Sequence, residues 1–277
     1  MAAIYVFVLH HSLRPVVTLW NTLKSLDNSA PGHNISQVVV LVQGPGAARK
    51  KFPSSAGLSF EPVFLRQGKN LGIGPGFRIG VDRFLQTKAQ WFAKIDDDIV
   101  IKPNGWSTLI ECIAQEERIG KHKVFGAMMG APRTKSLMLD RVASRPSAKG
   151  RIGVTPGFLD RRSKNVLGRE VAWCVTDYLD VGCTIYKREV FQKGCLPDPQ
   201  FYIAGLNLDL ALQIEKLGYK GILCTKPRCI HDHSCLPEDY LKDRYDRFEE
   251  GENVFKKKWG VEHKNLRVYK KKKKKSL

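Results

Sequence analysis

The chain sets two short, wholly apolar, β-branched runs either side of a segment with helical periodicity, and this alternation restricts the fold more than any other feature. Residues 3–9 (Ala3-Ile4-Tyr5-Val6-Phe7-Val8-Leu9) and 36–42 (Ser36-Gln37-Val38-Val39-Val40-Leu41-Val42) read as strands buried on both faces. Between them, Val16, Leu19, Trp20, Leu23 and Leu26 recur at helical spacing behind Pro15, a residue tolerated in the first turn of a helix. Strand, helix and strand in this order favour parallel pairing through a crossover helix, and so an α/β sheet.

The pattern continues down the chain. Pro62-Val63-Phe64-Leu65 reads as a third strand and leads into Asn70-Leu71-Gly72-Ile73-Gly74-Pro75-Gly76. A helix then places Phe77, Val81, Phe84 and Leu85 on one face. Residues 133–169 differ in texture: they are crowded with Arg, Lys, Ser, Gly and Pro, including Arg141, Arg145, Arg151, Arg161 and Arg162, and read as a long basic loop or lid. Order resumes at residues 178–186, and a helix follows with Leu206, Leu210, Ile214 and Leu217 along one stripe, stopped at Gly218. With 277 residues, 43% of them hydrophobic, the chain has enough apolar material for the core of one domain.

Chemistry concentrates in Trp91-Phe92-Ala93-Lys94-Ile95-Asp96-Asp97-Asp98-Ile99-Val100-Ile101. A strand here delivers three adjacent carboxylates to its own end. Like charges this close repel, and they settle only in open water or around a cation. Hard divalent cations such as Mg²⁺ and Mn²⁺ take carboxylate oxygens and also hold phosphates. A solvated acidic turn is the plainer reading of the triplet when it is taken alone.

Charge is the second constraint. The formal net charge is +19, and Lys270 to Lys275 supply six of those charges in a basic tail over 266–277 that reads as disordered. Such an excess suits a polyanionic partner, nucleic acid or an anionic membrane surface, and it also favours solubility. The seven cysteines lack CxxC spacing and agree with a reducing compartment. The sequence opens almost directly in a strand-like run, and no apolar stretch approaches the roughly 18 residues needed to span a bilayer. On these grounds the expected location is the cytoplasm or nucleus, or a host cell making a viral protein. Cys224, Cys229, His231, His233 and Cys235 form a Cys/His tract whose spacing matches no standard zinc module, and buried strand cysteines account for most of it.

Taken in order, these parts resemble a known family. Asn70-x-Gly72 follows the strand–helix–strand unit, then comes Asp96-x-Asp98 at a strand end. A glycine-containing strand, an acidic residue opening a helix that ends in Gly218-Tyr219, and a late His231 complete the series. The arrangement is similar to GT-A fold nucleotide-sugar glycosyltransferases, particularly the inverting, family-2-like enzymes, over roughly residues 3–235. The resemblance implies one GT-A domain over 1–265, with a Rossmann-like, mostly parallel sheet, a donor half about 1–105 and an acceptor half about 106–265. It also implies a UDP-sugar donor and Mn²⁺ or Mg²⁺ held by Asp98 and His231, with His233 the competing choice. The donor would lie against His10, His11, Gln43, Asn70, Gly72, Arg78, Asp96 and Asp97.

The sequence departs from the family pattern at two places. Relatives usually end the second strand with Asp, where this chain has Gln43. Their Glu-Asp-x-Asp at the late helix is Leu206-Asn207-Leu208-Asp209 here. Inverting transfer needs a carboxylate to take the acceptor's proton, which leaves Asp209 as the expected base. The basic loop directs the acceptor reading toward DNA carrying a hydroxymethylated base, with Arg141, Arg145, Arg151, Arg161 and Arg162 on the phosphates. Lipid, polysaccharide or protein acceptors at a membrane are the alternative. A non-catalytic nucleic-acid-binding module on a transferase scaffold is the reading from another class.

Overall fold

The computed structural model describes residues 3–29, 34–119 apart from 56, 123–130, 144–146, 152–154, 173–176, 182–232, 238, 242 and 247–260. The first half is built as the sequence leads one to expect. Strand β1 (Ile4–His11), helix α1 (Val16–Ser29) and strand β2 (Ile35–Gln43) form a parallel crossover unit, and β3 (Pro62–Gln67) adds to β2 in parallel. Helix α2 (Ile73–Leu85) then returns the chain to β4 (Trp91–Asp96), which pairs in parallel with the other side of β1.

The second half makes the sheet mixed. After β5 (Ile99–Ile101) and helix α3 (Gly105–Ile119) come β6 (Val124–Gly130), β7 (Ser144–Pro146), β8 (Ile152–Val154), β9 (Trp173–Thr176) and β10 (Cys183–Lys187). Helices α4 (Arg188–Gln192) and α5 (Leu206–Lys216), strand β11 (Gly221–His231) and helix α6 (Phe248–Trp259) follow. The nine-stranded sheet runs β3-β2-β1-β4-β10-β6-β11-β5 with β9 also on β11, while β7 and β8 form a separate hairpin. Strand β10 is antiparallel to both β4 and β6, and β11 is parallel to β6. Strands β1, β2, β3, β4, β6 and β11 therefore share one direction, against β5, β9 and β10.

Both faces of the sheet are covered, which is why its strands lack polar alternation. On one face Tyr5, Phe7, Val39, Leu41 and Phe92 meet Phe77, Val81 and Phe84 of α2, with Phe191, Leu206 and Leu210 joining from the second half. Phe92 stacks on Phe77 at 5.6 Å and meets Phe84 and Phe191 edge-on at 5.3 and 5.5 Å, the arrangements that aromatic quadrupoles favour. On the other face Ile4, Val6, Val8, Val38, Val40 and Val42 pack with Leu19, Leu23 and Leu26 of α1 and Trp106, Leu109 and Ile113 of α3. Each large side chain so buried contributes about 1.5–3 kcal/mol from its apolar area.

The glycine-rich segment serves packing. Gly72 has φ +89°, and a Cβ there would stand 2.6 Å from both the ring and the carbonyl oxygen of Tyr202. Ile73 and Gly74 donate their amides to the carbonyls of Tyr202 and Phe201 at 2.6 and 2.9 Å. At Gly80 a Cβ would meet the Phe7 ring at 2.7 Å, so the missing side chain lets α2 lie close against β1.

Three sequence expectations fall wholly or partly on undescribed residues. The basic loop 133–169 is described only at 144–146 and 152–154, as a hairpin backbone, and the tail 266–277 lies outside the described residues. Arg141, Arg151, Arg161, Arg162, His233 and Cys235 also lie outside them. Among the described residues, no helix is long and apolar enough to cross a membrane.

Candidate metal and donor site

The acidic triplet sits where β4 ends and the chain turns into β5. Ile101 N donates to Ser25 Oγ of α1 at 2.9 Å, which ties β5 to the neighbouring helix. Strand β5 pairs antiparallel with the end of β11, Ile99 opposite His231, and Asp232 N donates to Asp98 O at 2.8 Å. This pairing carries His231 from the far end of the chain to the triplet. His231 Nε2 lies 3.1 Å from Asp98 Oδ1. Asp96, Asp98 and His231 each offer a ligand atom, all within 4.8 Å of one another, and could hold a metal ion. Two carboxylates and an imidazole suit a divalent first-row cation or Mg²⁺.

The three aspartates are held in different ways. Asp96 is the more open, its side chain 28% exposed and paired with the fully buried Lys94 two residues earlier on the same strand face. Asp97 is turned inward. Its Oδ2 accepts from His10 Nδ1 at 2.5 Å, and its Oδ1 accepts from Arg14 Nη1 at 2.5 Å. Asp98 accepts from Arg14 Nη2 on Oδ2 at 3.0 Å and faces His231 with Oδ1. Burial by itself would raise the Asp98 carboxyl. The His231 hydrogen bond and charge and the Arg14 guanidinium outweigh it and hold that carboxyl well below the usual carboxylate range.

The other expected donor contacts all have protein partners. His10, Gln43 and Asp97 were expected to line the donor crevice, yet all three are buried and committed to protein partners. His10 holds Asp97 from β1. Gln43 accepts from Leu71 N and donates to Gly72 O, both at 3.2 Å, and so fixes the glycine-rich segment to β2. His11 is buried too, and its Nδ1 accepts from Leu13 N at 3.2 Å, within the turn after β1. Asn70 Oδ1 accepts from Gly72 N at 3.1 Å, and Gly72 itself is pressed on Tyr202 rather than facing open space. Arg78 is paired with Asp82 one turn along α2 at 2.8 Å, its side chain 37% exposed.

Asp209, the expected base, is held by protein donors. It is fully buried on α5, and its carboxylate accepts from Trp259 Nε1 at 2.9 Å, Gln213 Nε2 at 2.7 Å and Lys258 Nζ at 2.8 Å. Burial raises its carboxyl, and these three donors only partly offset that. With its lone pairs so occupied, Asp209 fastens α6 to α5. The described members of the Cys/His tract have separate neighbours. Cys224 lies against Cys112, the free thiols of Cys229 and Cys183 share a hydrogen bond, and His231 belongs to the acidic site.

Two residues of the site were missed from sequence. Arg14 binds two of the three aspartates at once, and its signal was an Arg in the loop between β1 and α1, where open α/β sheets gather ligands. The signal for Lys94 was a lone cation in an apolar strand, two positions before Asp96.

No protein-family model matches the chain, and no curated protein matches it in sequence. Solved structures do match. A crystal structure of GalNAc-T7 with UDP, GalNAc and Mn²⁺ aligns over 92% of this chain and 50% of its own, with a TM-score of 0.61 and 15% identity. S. aureus TarS aligns over 87% of this chain and 38% of its own, with a TM-score of 0.49 and 13% identity. The chain thus spans about half the length of the GalNAc-T7 chain it matches. The fold is of the GT-A glycosyltransferase type.

Proposed function

We propose that this protein is a metal-dependent glycosyltransferase that takes its sugar from a UDP-sugar. The observation that carries this reading is the Asp96–Asp98–His231 cluster at the C-terminal edge of a GT-A sheet, where open α/β sheets bind ligands. The GalNAc-T7 crystal structure, similar in fold, holds UDP, GalNAc and Mn²⁺. When bound, a divalent cation supplies positive charge where the departing diphosphate gathers negative charge. Asp96, Asp98 and His231 would hold it. Arg14 holds Asp97 and Asp98, His10 holds Asp97, and Lys94 pairs with Asp96. Gln43 and Asn70 fix the segment that leads into α2.

For the acceptor we carry forward a 5-hydroxymethylated base in DNA, supported by the +19 charge and by the arginines of 133–169. The family resemblance implies inversion at the anomeric carbon. Mass spectrometry of hydroxymethylated duplex DNA incubated with a panel of UDP-sugars and Mn²⁺ tests the acceptor. Gain of one hexose or N-acetylhexosamine mass per modified base is the expected result, with the product anomer read by NMR. If the arginines contact phosphates, duplex affinity falls steeply with salt, by about −0.9 in log–log slope per contact, and replacing Arg161 and Arg162 with Ala makes the slope shallower. No mass gain with any donor overturns the DNA acceptor. Turnover on a neutral or lipid acceptor instead, insensitive to salt, would assign the basic tail to an anionic surface.

A further inference from the structure

We propose that Arg14 is a specificity-determining residue of this site, one that leaves Asp98 a single oxygen for a cation and so selects Mn²⁺ or Mg²⁺ over Ca²⁺. The inference rests on the metal site proposed above. Its geometry is independent of the comparisons with other proteins. Arg14 is itself buried, 5% exposed, and its two terminal nitrogens are divided between Asp97 Oδ1 and Asp98 Oδ2. Asp97 has its other oxygen on His10, so both of its oxygens are engaged by buried donors. Asp98 keeps Oδ1, the oxygen that lies 3.1 Å from His231 Nε2. The guanidinium thus blocks a bidentate grip by Asp98 and removes Asp97 from the ligand set.

The consequence follows from the needs of the cations. Ca²⁺ takes about six to eight oxygens at longer distances and commonly draws bidentate carboxylates, whereas Mg²⁺ accepts single oxygens in a near-octahedral shell completed by water and phosphate. Mn²⁺ is served by similar oxygen-rich octahedra. A site with one oxygen from Asp98, one ligand atom from Asp96 and one from His231 is poor in oxygens for Ca²⁺. It leaves room for the water and phosphate ligands that the smaller ions retain. Arginine suits the task because its planar fork spans two carboxylates, which a lysine ammonium cannot reproduce with the same geometry.

The test is competition at the assembled site. Mn²⁺ captured by the full-length protein with saturating UDP is measured by electron paramagnetic resonance, with Asp98→Asn as the baseline, and Ca²⁺ is then titrated in. Wild type should release its Mn²⁺ only at a large excess of Ca²⁺. Arg14→Gln should release it at about ten-fold less Ca²⁺ or lower, because both carboxylates then open to the larger ion. Arg14→Lys should fall between the two, and circular dichroism of each variant checks that the fold is kept. Equal Ca²⁺ sensitivity of wild type and Arg14→Gln overturns the inference. So does a wild type that yields its Mn²⁺ to equimolar Ca²⁺, a result that needs no variant to fold. If Arg14→Gln does not fold, an Arg14→Lys protein as selective as wild type also overturns it. Failure of wild type to capture any Mn²⁺ above the Asp98→Asn baseline is a different outcome, and it removes the metal site itself.

Discussion

His231 Nε2 and Asp98 Oδ1 lie 3.1 Å apart, although the two residues are distant in the chain and meet because β5 and β11 pair. This contact has a measurable dependence on pH. The folded Asp98 carboxyl is held below its ordinary value of 3.8, so its contribution to stability is present above that value. It is lost as pH falls through the folded value, because the unfolded chain then binds the proton more readily. Wild type should therefore exceed Asp98→Asn in urea unfolding free energy at pH 6, with the gap closing as pH falls below about 4. A gap that widens in acid would contradict this.

Asp209 is predicted to behave as an anchor. Asp209→Asn keeps the volume but sets an amide against donors from Trp259, Gln213 and Lys258. The expected cost is about 1–3 kcal/mol, the range for leaving a buried polar group wrongly paired. Scanning fluorimetry should show a melting temperature lower by several degrees, and Trp259 emission should shift. Release of UDP per folded molecule should stay within about three-fold of wild type. A general base would give the opposite pair of results: unchanged melting and a loss of about 10² or more in the chemical step.

Gly72→Ala should destabilise by more than about 2 kcal/mol, because strain at a left-handed backbone adds to a steric clash. The φ is +89°, and the new Cβ would press on both ring and backbone of Tyr202. Chemical denaturation of Gly72→Ala beside Gly57→Ala checks the point. Gly57 also has positive φ, but a Cβ there meets nothing within 4 Å. Equal losses at the two sites would mean that the contact with Tyr202 is immaterial.

Arg188 staples the end of α2 to the start of β4. Its guanidinium donates to the carbonyls of Phe84, Leu85, Thr87 and Ala89 at 2.8–3.2 Å and lies 4.4 Å from the centre of the Phe84 ring. Phe84 and Leu85 close α2, where the last carbonyls have no amide one turn further along the helix to accept from. Arg188→Ala should cost about 2–4 kcal/mol, given that hydrogen bonds to a charged group contribute about 1.5–3 kcal/mol. Arg188→Lys should recover less than half of that, since one ammonium cannot serve four carbonyls. Full recovery by Lys would show that charge alone matters.

Much of the donor half was legible from sequence because it is written in local patterns. Runs such as Val38 to Val42 have one stable use, a strand covered on both faces, and the stripe of Phe77, Val81 and Phe84 fixes the helix that covers it. Helix α3 is written in Trp106, Leu109, Ile110 and Ile113, and α6 in Glu249 and Glu250 of its first turn and Lys256 to Lys258 of its last. Sequence marks Asp98 and His231 as the metal pair and Asp96 as a donor contact, and the fold brings a ligand atom of all three within 4.8 Å of one another. What sequence does not carry is direction. Nothing local says that Asp97 points inward to His10 and Arg14, that Gln43 clasps the backbone at 71 and 72, or that Asp209 ends against Trp259. Those depend on pairings between residues far apart in the chain.

The most direct test of the central reading is calorimetric titration of UDP into the protein with Mn²⁺ present, with Mn²⁺ removed by chelator, and into Asp98→Asn with Mn²⁺. The Asp96–Asp98–His231 site predicts saturable UDP binding in the first case and at least ten-fold weaker binding in the other two. UDP binding of equal strength with and without the metal, or in Asp98→Asn, would contradict it.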